Sequence, residues 1–351
     1  MKVYYYHTVD IREMYDGWRN GSFPGHFLYG ATHLPKLGID VIRHQPIRPR
    51  QRWKLSLHTA WKVLTCRERY DALYATTFRG LEIIIFLRAL RLYRHPVVVW
   101  HHQPVVRAKS RVREMVARLF YRGMDRLIFF SDKIVEDSLL SAKAKREKMH
   151  VVHWGADLEY YDRLLKTEGS QSREGFISTG KELRDMPTLV RAFNAAGAPI
   201  DIYICREYGG TNYERLFASL GTRENVKVNY VEGVVHGEMS RLVNRSACVV
   251  ICCKESNYTV GLTTVVEALA LGIPMICSHN PQMPMDIERE GCGITVEYGD
   301  VEGWKRAIEY VCSHPDEARE MGERGRRLAE RLYNIEQCTR EVKRILSYEL
   351  Y

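Results

Sequence analysis

The stretch Gly261-Leu262-Thr263-Thr264-Val265-Val266-Glu267-Ala268-Leu269-Ala270-Leu271-Gly272-Ile273-Pro274 reads as a loop, a helix opening near Thr264, and a turn at Gly272 into a buried strand. Glu267 lies about one turn inside this otherwise apolar helix. A carboxylate buried there without a partner would be costly. A pair of sugar hydroxyls would satisfy it, and so would a structural hydrogen bond within the core. The amides at the helix start, with the hydroxyls of Thr263 and Thr264 beside them, form a ready anion site.

Upstream, Gly175-Phe-Ile-Ser-Thr-Gly180-Lys181-Glu182-Leu183-Arg184-Asp185 reads as a strand ending at a glycine, then a turn and a helix over 188–194. Gly180 lets backbone approach a ligand, and two cations near a helix N-terminus suit a diphosphate. A solvated turn with ordinary surface charges is the other reading of the same residues. Further strands are expected at 200–204, 226–230, 248–252 and 274–278. An earlier series occupies 3–6, 40–42, 72–75, 96–100, 126–130 and 150–153, with helical periodicity around 27–37, 81–92 and 111–122. This alternation predicts an α/β protein with two doubly wound domains in tandem, and ligand at the carboxyl ends of the strands. The expected division is a first domain over 1–165, a polar linker over 166–174 and a second domain over 175–330. A C-terminal helix over 331–351 is expected to pack back on the first domain.

The 351-residue length agrees with two domains, and 45% hydrophobic with 27% charged content excludes a disordered or fibrous chain. The net charge of +9 is unevenly placed. Residues 1–165 hold 29 Lys and Arg against 16 Asp and Glu, whereas the rest hold 23 against 27. The basic half expects an anionic partner such as phosphate, nucleic acid or an anionic lipid surface. Nine scattered cysteines without paired zinc-type spacing read as buried thiols of a reducing compartment. The start of the chain reads as a first buried strand rather than a signal peptide, and Ile83-Ile-Ile-Phe-Leu87 is too short to span a bilayer.

In the first half, Val97-Val-Val-Trp-His101-His102 is a buried strand ending in two imidazoles, at the edge where α/β ligands bind. A structural role is the alternative for either histidine. The loop over 17–25 holds Gly17, Gly21 and Gly25, and His26 follows as an acceptor contact or a cap. The helix over 111–122 carries Val112, Met115, Val116, Leu119 and Phe120 on one face, with Arg111, Arg113, Arg118 and Arg122 mostly elsewhere. It could settle on an anionic membrane or pack on the sheet with a solvated basic face. Arg48-Pro-Arg-Gln-Arg-Trp-Lys54, with Arg88, Arg91, Arg94 and Lys143-Ala-Lys-Arg146, adds to the basic surface.

Taken in order, strand–Gly-Lys-x-x-Arg-Asp–helix and Gly-x-Thr-Thr-x-x-Glu-Ala-x-Ala-x-Gly-x-Pro resemble the donor domain of retaining glycosyltransferases of the GT-B fold, family 4-like (glycosyl transferases group 1). His153-Trp-Gly-Ala-Asp157 is similar to that family's Asn-Gly-Val-Asp turn between domains. Tyr230-Val-Glu-Gly-Val-Val-His-Gly-Glu-Met239 is similar to the segment that cradles the nucleotide base. The resemblance spans about residues 1–330 and is closest after 150. It implies two Rossmann-like domains facing each other across a cleft that closes to exclude water. It also implies that Lys181 and Arg184 hold the donor diphosphate, with backbone of Gly180, Gly261, Leu262, Thr263 and Thr264 completing the cradle. Glu267 would bind the ribose hydroxyls, and the Gly21–Gly25 loop would face the donor phosphates. His101 matches the strand-end histidine contacting the transferred sugar, with His102 the neighbouring position. His101, Lys181 and Arg184 would thus form the catalytic set. One departure concerns the sugar: the family's first acidic residue is Thr259 here, and Glu255 is the nearby carboxylate in sequence.

The implied activity is hexosyl transfer from a nucleotide sugar, UDP favoured over GDP, to an acceptor hydroxyl with retention of configuration. The acceptor would be a glycolipid, lipid-linked saccharide or surface polysaccharide. The protein would work in the cytoplasm, peripherally on the inner face of the membrane. No cofactor and no metal are expected: the nucleotide sugar is a substrate and no Asp-x-Asp pair is present. Two other readings are a nucleotide-sugar epimerase on the same fold and a basic nucleic-acid-binding protein. No nucleic-acid module supports the latter, so nucleic acid is not an expected partner.

Overall fold

Strands of a parallel sheet covered on both faces read as near-continuous apolar runs. The central strands of this chain satisfy that in two separate places, and the computed structural model forms a six-stranded parallel sheet at each. It describes residues 1–47, 51–169, 172–232 and 236–347. The chain divides into two contact units, one comprising Met1–Asn20, Gly25–Trp154 and the last helix, the other comprising Gly21–Pro24 and Gly155–Asn334.

In the first unit the strands are β1 (Lys2–Tyr6), β2 (Asp40–Arg43), β3 (Ala72–Ala75), β4 (Val97–Trp100), β5 (Arg126–Phe129) and β6 (Met149–Val151). They lie in the order β2-β1-β3-β4-β5-β6, all parallel, with Tyr5 in register with Arg43 on one side and Tyr74 on the other. The order reverses between β1 and β3, which is where an open sheet leaves a crevice beyond its strand ends. The helices are α1 (Arg12–Asn20), α2 (Arg52–Leu64), α3 (Glu82–Ala89), α4 (Arg111–Arg122) and α5 (Asp132–Leu139). Side chains of α2, α3 and α5, including Val63, Ile84 and Ile134, share one core with Tyr4, Leu73 and Val97 of the sheet, and Phe120 of α4 packs against it.

The second unit contains α6 (Leu158–Glu168), β7 (Phe176–Ser178), α7 (Met186–Ala196), β8 (Ile200–Ile204), a small hairpin of β9 (Glu207–Tyr208) and β10 (Thr211–Asn212), and α8 (Tyr213–Leu220). It continues through β11 (Val226–Tyr230), α9 (His236–Asn244), β12 (Cys248–Ile251), α10 (Leu262–Leu271), β13 (Met275–Ser278), β14 (Gly293–Val296), α11 (Val301–Ser313) and α12 (Pro315–Arg331). Its sheet order is β11-β8-β7-β12-β13-β14, so the reversal falls between β7 and β12. This is the Rossmann order, and the protein is accordingly α/β with two Rossmann-like units. The last helix, α13 (Ile335–Ser347), belongs to the first unit. There Lys343 Nζ donates to the Leu37 carbonyl at 3.0 Å, and the Glu341 carboxylate takes both the amide and Nδ1 of His153, at 2.8 and 2.9 Å.

Several expected bounds shift. The helix expected over 27–37 is instead two short 3-10 turns, Gly25–Leu28 and Leu34–Leu37. Tyr29 and Gly30 between them have φ of 50° and 85°, which a right-handed helix cannot accommodate. The unit division falls after Trp154, before the polar stretch over 166–174, because that stretch opens inside α6. Asp157 caps α6 by accepting from the Tyr160 amide at 3.2 Å. Backbone of Gly155 and Ala156 lies directly against Tyr333 and Asn334, with the Ala156 amide 2.9 Å from the Tyr333 carbonyl. Part of the expected linker (170–171), part of the basic run (48–50) and part of the expected base-cradling segment (233–235) lie outside the described residues.

Candidate functional site

The two loops singled out in the second half leave adjacent strands on either side of the reversal point: Gly180 follows β7 and Gly261 follows β12. Both glycines have φ near 90°. A β-carbon at 261 would lie 2.6 Å from Cγ2 of Ile251, and one at 180 would overlap Nη2 of Arg184. Glycine is therefore required at both places by conformation and by space.

Arg184 is the residue around which these loops close. It is only 3% exposed. Nε and Nη2 both donate to the Thr179 carbonyl, at 3.0 and 2.9 Å, Nη1 reaches Sγ of Cys253 at 3.1 Å, and Nη2 reaches Oγ1 of Thr264 at 3.3 Å. These acceptors are neutral, and among the described residues no carboxylate forms an ion pair with this guanidinium. A buried cation with only neutral partners leaves a positive field at the loop surface that an anion would complement. Lys181, by contrast, is exposed, with Nζ 4.9 Å from the ring centre of Tyr208 on the β9–β10 hairpin. The two cations expected to act alike are thus placed differently: one is buried beneath the turn, the other is exposed beside Tyr208. Asp185 serves as the cap of α7, accepting from the amide and hydroxyl of Thr188 at 3.3 and 2.7 Å.

Helix α10 opens two residues earlier than the sequence suggests, at Leu262, with Gly261 as its cap residue. The loop itself engages part of the expected amide cradle, since Leu262 donates to the Thr259 carbonyl at 3.2 Å and Thr264 to the Gly261 carbonyl at 3.0 Å. Leu262 is buried, the Thr264 hydroxyl accepts from Arg184, and Thr263 is the exposed member of the set. Glu267 is partly buried deeper along the helix. Ser240 of α9 donates to its Oε1 at 2.6 Å, and the Tyr161 hydroxyl of α6 lies 3.5 Å from the same oxygen. Burial pushes its carboxyl up to about 6, against the pull of these two donors.

Thr259 is half-buried and Glu255 exposed. A different carboxylate is tied to this loop: Glu182 accepts from the hydroxyl of Tyr258 at 2.8 Å. Neither Glu182 nor Tyr258 stood out in the sequence, because the contact joins residues 76 positions apart. The pairing of Tyr208 with Lys181 was equally hidden. A cavity of about 640 Å³ opens nearby at the ends of β12, β13 and β14, bordered by Cys253, Val260, Ser278 and Asn280. Among the described residues no group of three or more His, Cys, Asp or Glu side chains is arranged to hold a metal ion.

In the first unit the two strand-end histidines separate to opposite sides. His101 is 4% exposed, packed against Phe78 and Phe129. Its Nδ1 donates to the Gln103 carbonyl at 2.6 Å and its Nε2 accepts from the Tyr121 hydroxyl at 2.8 Å, so both ring nitrogens are engaged within the fold. Burial pushes its pKa down to about 4, which keeps it neutral. His102 is half-buried, and its Nε2 donates to the carbonyl of Thr76, just past β3, at 2.8 Å. His7, just past β1, has its pKa lowered to about 4 by burial and then by the nearby His102. His7 and His102 thus flank the reversal point between β1 and β3, a pairing the sequence reading missed. The expected glycine loop is divided: Gly21, with φ of 80°, lies beside the Arg163 guanidinium in the second unit, whereas Gly25 is buried at a 3-10 turn in the first.

Two Rossmann-like units, the second with glycine turns closed over a cation at its switch point, are an arrangement found among nucleotide-binding α/β proteins. Comparison with known families narrows this. Residues 19–155 match the glycosyl transferase 4-like domain and residues 192–328 match glycosyl transferases group 1. The chain belongs to this glycosyltransferase family. It is 25% identical over 249 residues to MMP alpha-(1->4)-mannosyltransferase of Mycolicibacterium hassiacum, a match covering 67% of this chain and 56% of that protein. The chain thus spans little more than half the length of that curated relative. Among solved structures, sucrose-phosphate synthase of Thermosynechococcus elongatus superposes with a TM-score of 0.72 at 14% identity, covering 98% of this chain and 97% of the other. HepE of Anabaena in complex with UDP superposes with a TM-score of 0.65 at 13% identity, covering 99% of both chains. At these identities the superpositions speak for the GT-B fold alone.

Proposed function

We propose that the protein is a retaining hexosyltransferase that takes its sugar from a nucleotide diphosphate donor, with UDP favoured. The observation that carries this reading is the buried Arg184 guanidinium beneath the Gly180 and Gly261 turns, beside Lys181 and the start of α10. Lys181 leaves Tyr208 to meet the diphosphate, Arg184 supplies a fixed positive charge below it, and the exposed Thr263 contributes at the helix start. Ribose hydroxyls donate to Glu267, whose Oε1 is already oriented by Ser240. The named UDP complex of the HepE structure supports the choice of base.

In the transfer, the acceptor oxygen forms a bond to the anomeric carbon on the face from which the diphosphate departs. The bond from that carbon to the phosphate oxygen breaks, and the acceptor proton passes to the leaving phosphate. The charge developing on that phosphate is what Lys181, Arg184 and the helix start stabilise. The site needs no protein nucleophile in this scheme. We assign to His102 the sugar contact that the resemblance gave to His101, because the latter has both ring nitrogens engaged in the core. Glu182, held by Tyr258, takes the donor-sugar contact left open at Thr259. The acceptor is a saccharide or lipid-linked hydroxyl presented at an anionic membrane surface, in keeping with the +9 charge and with the exposure of Val112, Met115 and Val116 on α4.

Calorimetric titration with UDP, GDP and their sugars, followed by acceptor trials with membrane extracts, tests the reading. UDP binding that is lost in a Lys181→Ala, Arg184→Met double variant supports it. The absence of any nucleoside diphosphate binding by the wild-type chain overturns it.

A further inference from the structure

Helix α2 carries a second apolar stripe that the core does not use. Its inward face is Leu55, Ala60 and Val63, all buried, and Ala60 and Val63 belong to the core of the sheet. Trp53, Leu57, Trp61 and Leu64 are 58%, 52%, 58% and 54% exposed. At 100° per residue these four fall within about an 80° arc, so they form one continuous outward stripe. Scattered exposed apolar residues are normal, but two tryptophans and two leucines aligned on one helix are not. Cations border the stripe: Nζ of Lys54 stands 5.5 Å from the Trp53 ring centre and Nζ of Lys62 stands 5.1 Å from that of Trp61. The helix sequence RWKLSLHTAWKVL contains three cations and no acidic residue.

We propose that this face of α2 is an interfacial wedge by which the protein docks on an anionic lipid surface, with α4 as its companion. Indole rings and leucines enter the boundary between headgroups and acyl chains, while lysines beside them reach back to anionic headgroups. Helix α4 lies on the same side of the sheet, separated from α2 by α3, and exposes Val112, Met115 and Val116 beside Arg111 and Arg113. The charge argues for lipid over a second copy of this chain. A two-fold contact through α2, which carries no acidic residue, would bring the lysines of one copy toward the cations of the other. This deepens the membrane-acceptor part of the proposed function and rests on it for its purpose, but not for its physics.

The test is co-sedimentation of the full chain with vesicles of phosphatidylcholine, with and without phosphatidylglycerol. The wild type should bind the anionic vesicles and release them as salt rises. Trp53→Ala with Trp61→Ala should weaken binding by about tenfold or more, because two buried indoles are removed from the interface. Lys54→Glu with Lys62→Glu should weaken it comparably with every apolar side chain retained. UDP titration of the same samples separates the two proposals. Lost vesicle binding with intact UDP binding supports the wedge, and intact vesicle binding in both double variants overturns it. Equal binding to neutral vesicles, or a shift from dimer to monomer without a change in vesicle binding, also overturns it. Failure of the wild type to bind UDP would count against the transferase reading and leave the vesicle result standing.

Discussion

A β-carbon on residue 180 would overlap Nη2 of Arg184. The turn after β7 and the buried guanidinium are thus one unit, and a substitution at either is felt by the other. Gly180→Ala must relieve the overlap and also hold φ near 90°, which an alanine resists. We expect a loss of roughly 2–4 kcal/mol in unfolding free energy. UDP affinity should fall as the guanidinium is displaced from Thr179 and Thr264. Thermal melts with and without UDP check both parts. A melt unchanged from wild type would refute the coupling.

Arg184 itself separates charge from geometry. Arg184→Lys keeps a cation but loses the forked contact to the Thr179 carbonyl, and Arg184→Met loses both. If the buried charge serves the diphosphate, UDP binding should weaken about tenfold for Lys and further for Met. The unliganded melting temperatures should not follow that order, because Met removes a buried cation that forms no ion pair with a carboxylate among the described residues. Calorimetry on the two variants decides the matter, and equal UDP affinities would show that Arg184 only braces the loops.

The pH dependence of Glu267 can be stated with its sign. Burial raises its carboxyl from 4.5 to about 6, so the folded chain binds that proton more tightly than the unfolded chain. The associated stabilisation, on the order of 1–2 kcal/mol, is complete below about pH 4.5 and disappears as the pH rises through about 6. Ribose hydroxyls need the opposite state, the ionised acceptor. UDP affinity should therefore climb between about pH 5 and pH 7 while this contribution to stability falls. Glu267→Gln should flatten both trends and bind UDP at least about tenfold more weakly at pH 8. A wild-type affinity independent of pH across this range would remove the ribose role.

Much of the second unit was legible in the sequence because its signals are local. The alternation of strand and helix, the glycine at the end of β7 and the Gly261–Glu267 spacing all lie within short windows. What stayed hidden depends on contacts distant in sequence. Burial of Arg184 follows from Cys253 and Thr264 closing over it, and the Glu182–Tyr258 pair follows from two loops meeting at the switch point. The helix expected over 27–37 failed for a local reason, since nothing in its apolar spacing reveals that Tyr29 turns left-handed before Gly30. On α4 the apolar face was visible but its exposure was not, because periodicity shows that a stripe exists and not what covers it.

The donor-sugar contact can be tested through the Glu182–Tyr258 pair. The Tyr258 hydroxyl donates to the carboxylate at 2.8 Å, and both side chains sit at the rim of the loops rather than in the core. Tyr258→Phe should therefore leave the melting temperature within about 2 °C and leave UDP affinity unchanged. It should weaken the preference for the sugar nucleotide over UDP, and Glu182→Gln should do so more strongly. Competition calorimetry of UDP against UDP-sugars measures this directly, and an unaltered preference in both variants would return the sugar contact to Thr259 or Glu255.

The strand-end histidines give the most discriminating comparison, because they are adjacent in sequence and opposite in surroundings. His101→Ala removes a buried ring held by Gln103 and Tyr121 and packed on Phe78 and Phe129. It should destabilise the first unit by roughly 2–4 kcal/mol, with any loss of turnover tracking the loss of folded protein. His102→Ala removes a half-buried ring whose Nε2 proton is held by the Thr76 carbonyl. Because that carbonyl can only accept, Nε2 carries the proton of the neutral ring. This variant should melt much closer to wild type yet lose about tenfold or more in kcat. Asn at position 102 should recover part of that loss, since its amide can both donate to Thr76 and accept from a hydroxyl. Steady-state rates at a temperature where all three variants are folded carry the comparison. A His101 variant that is inactive while fully folded, beside an active His102 variant, would restore the role to His101.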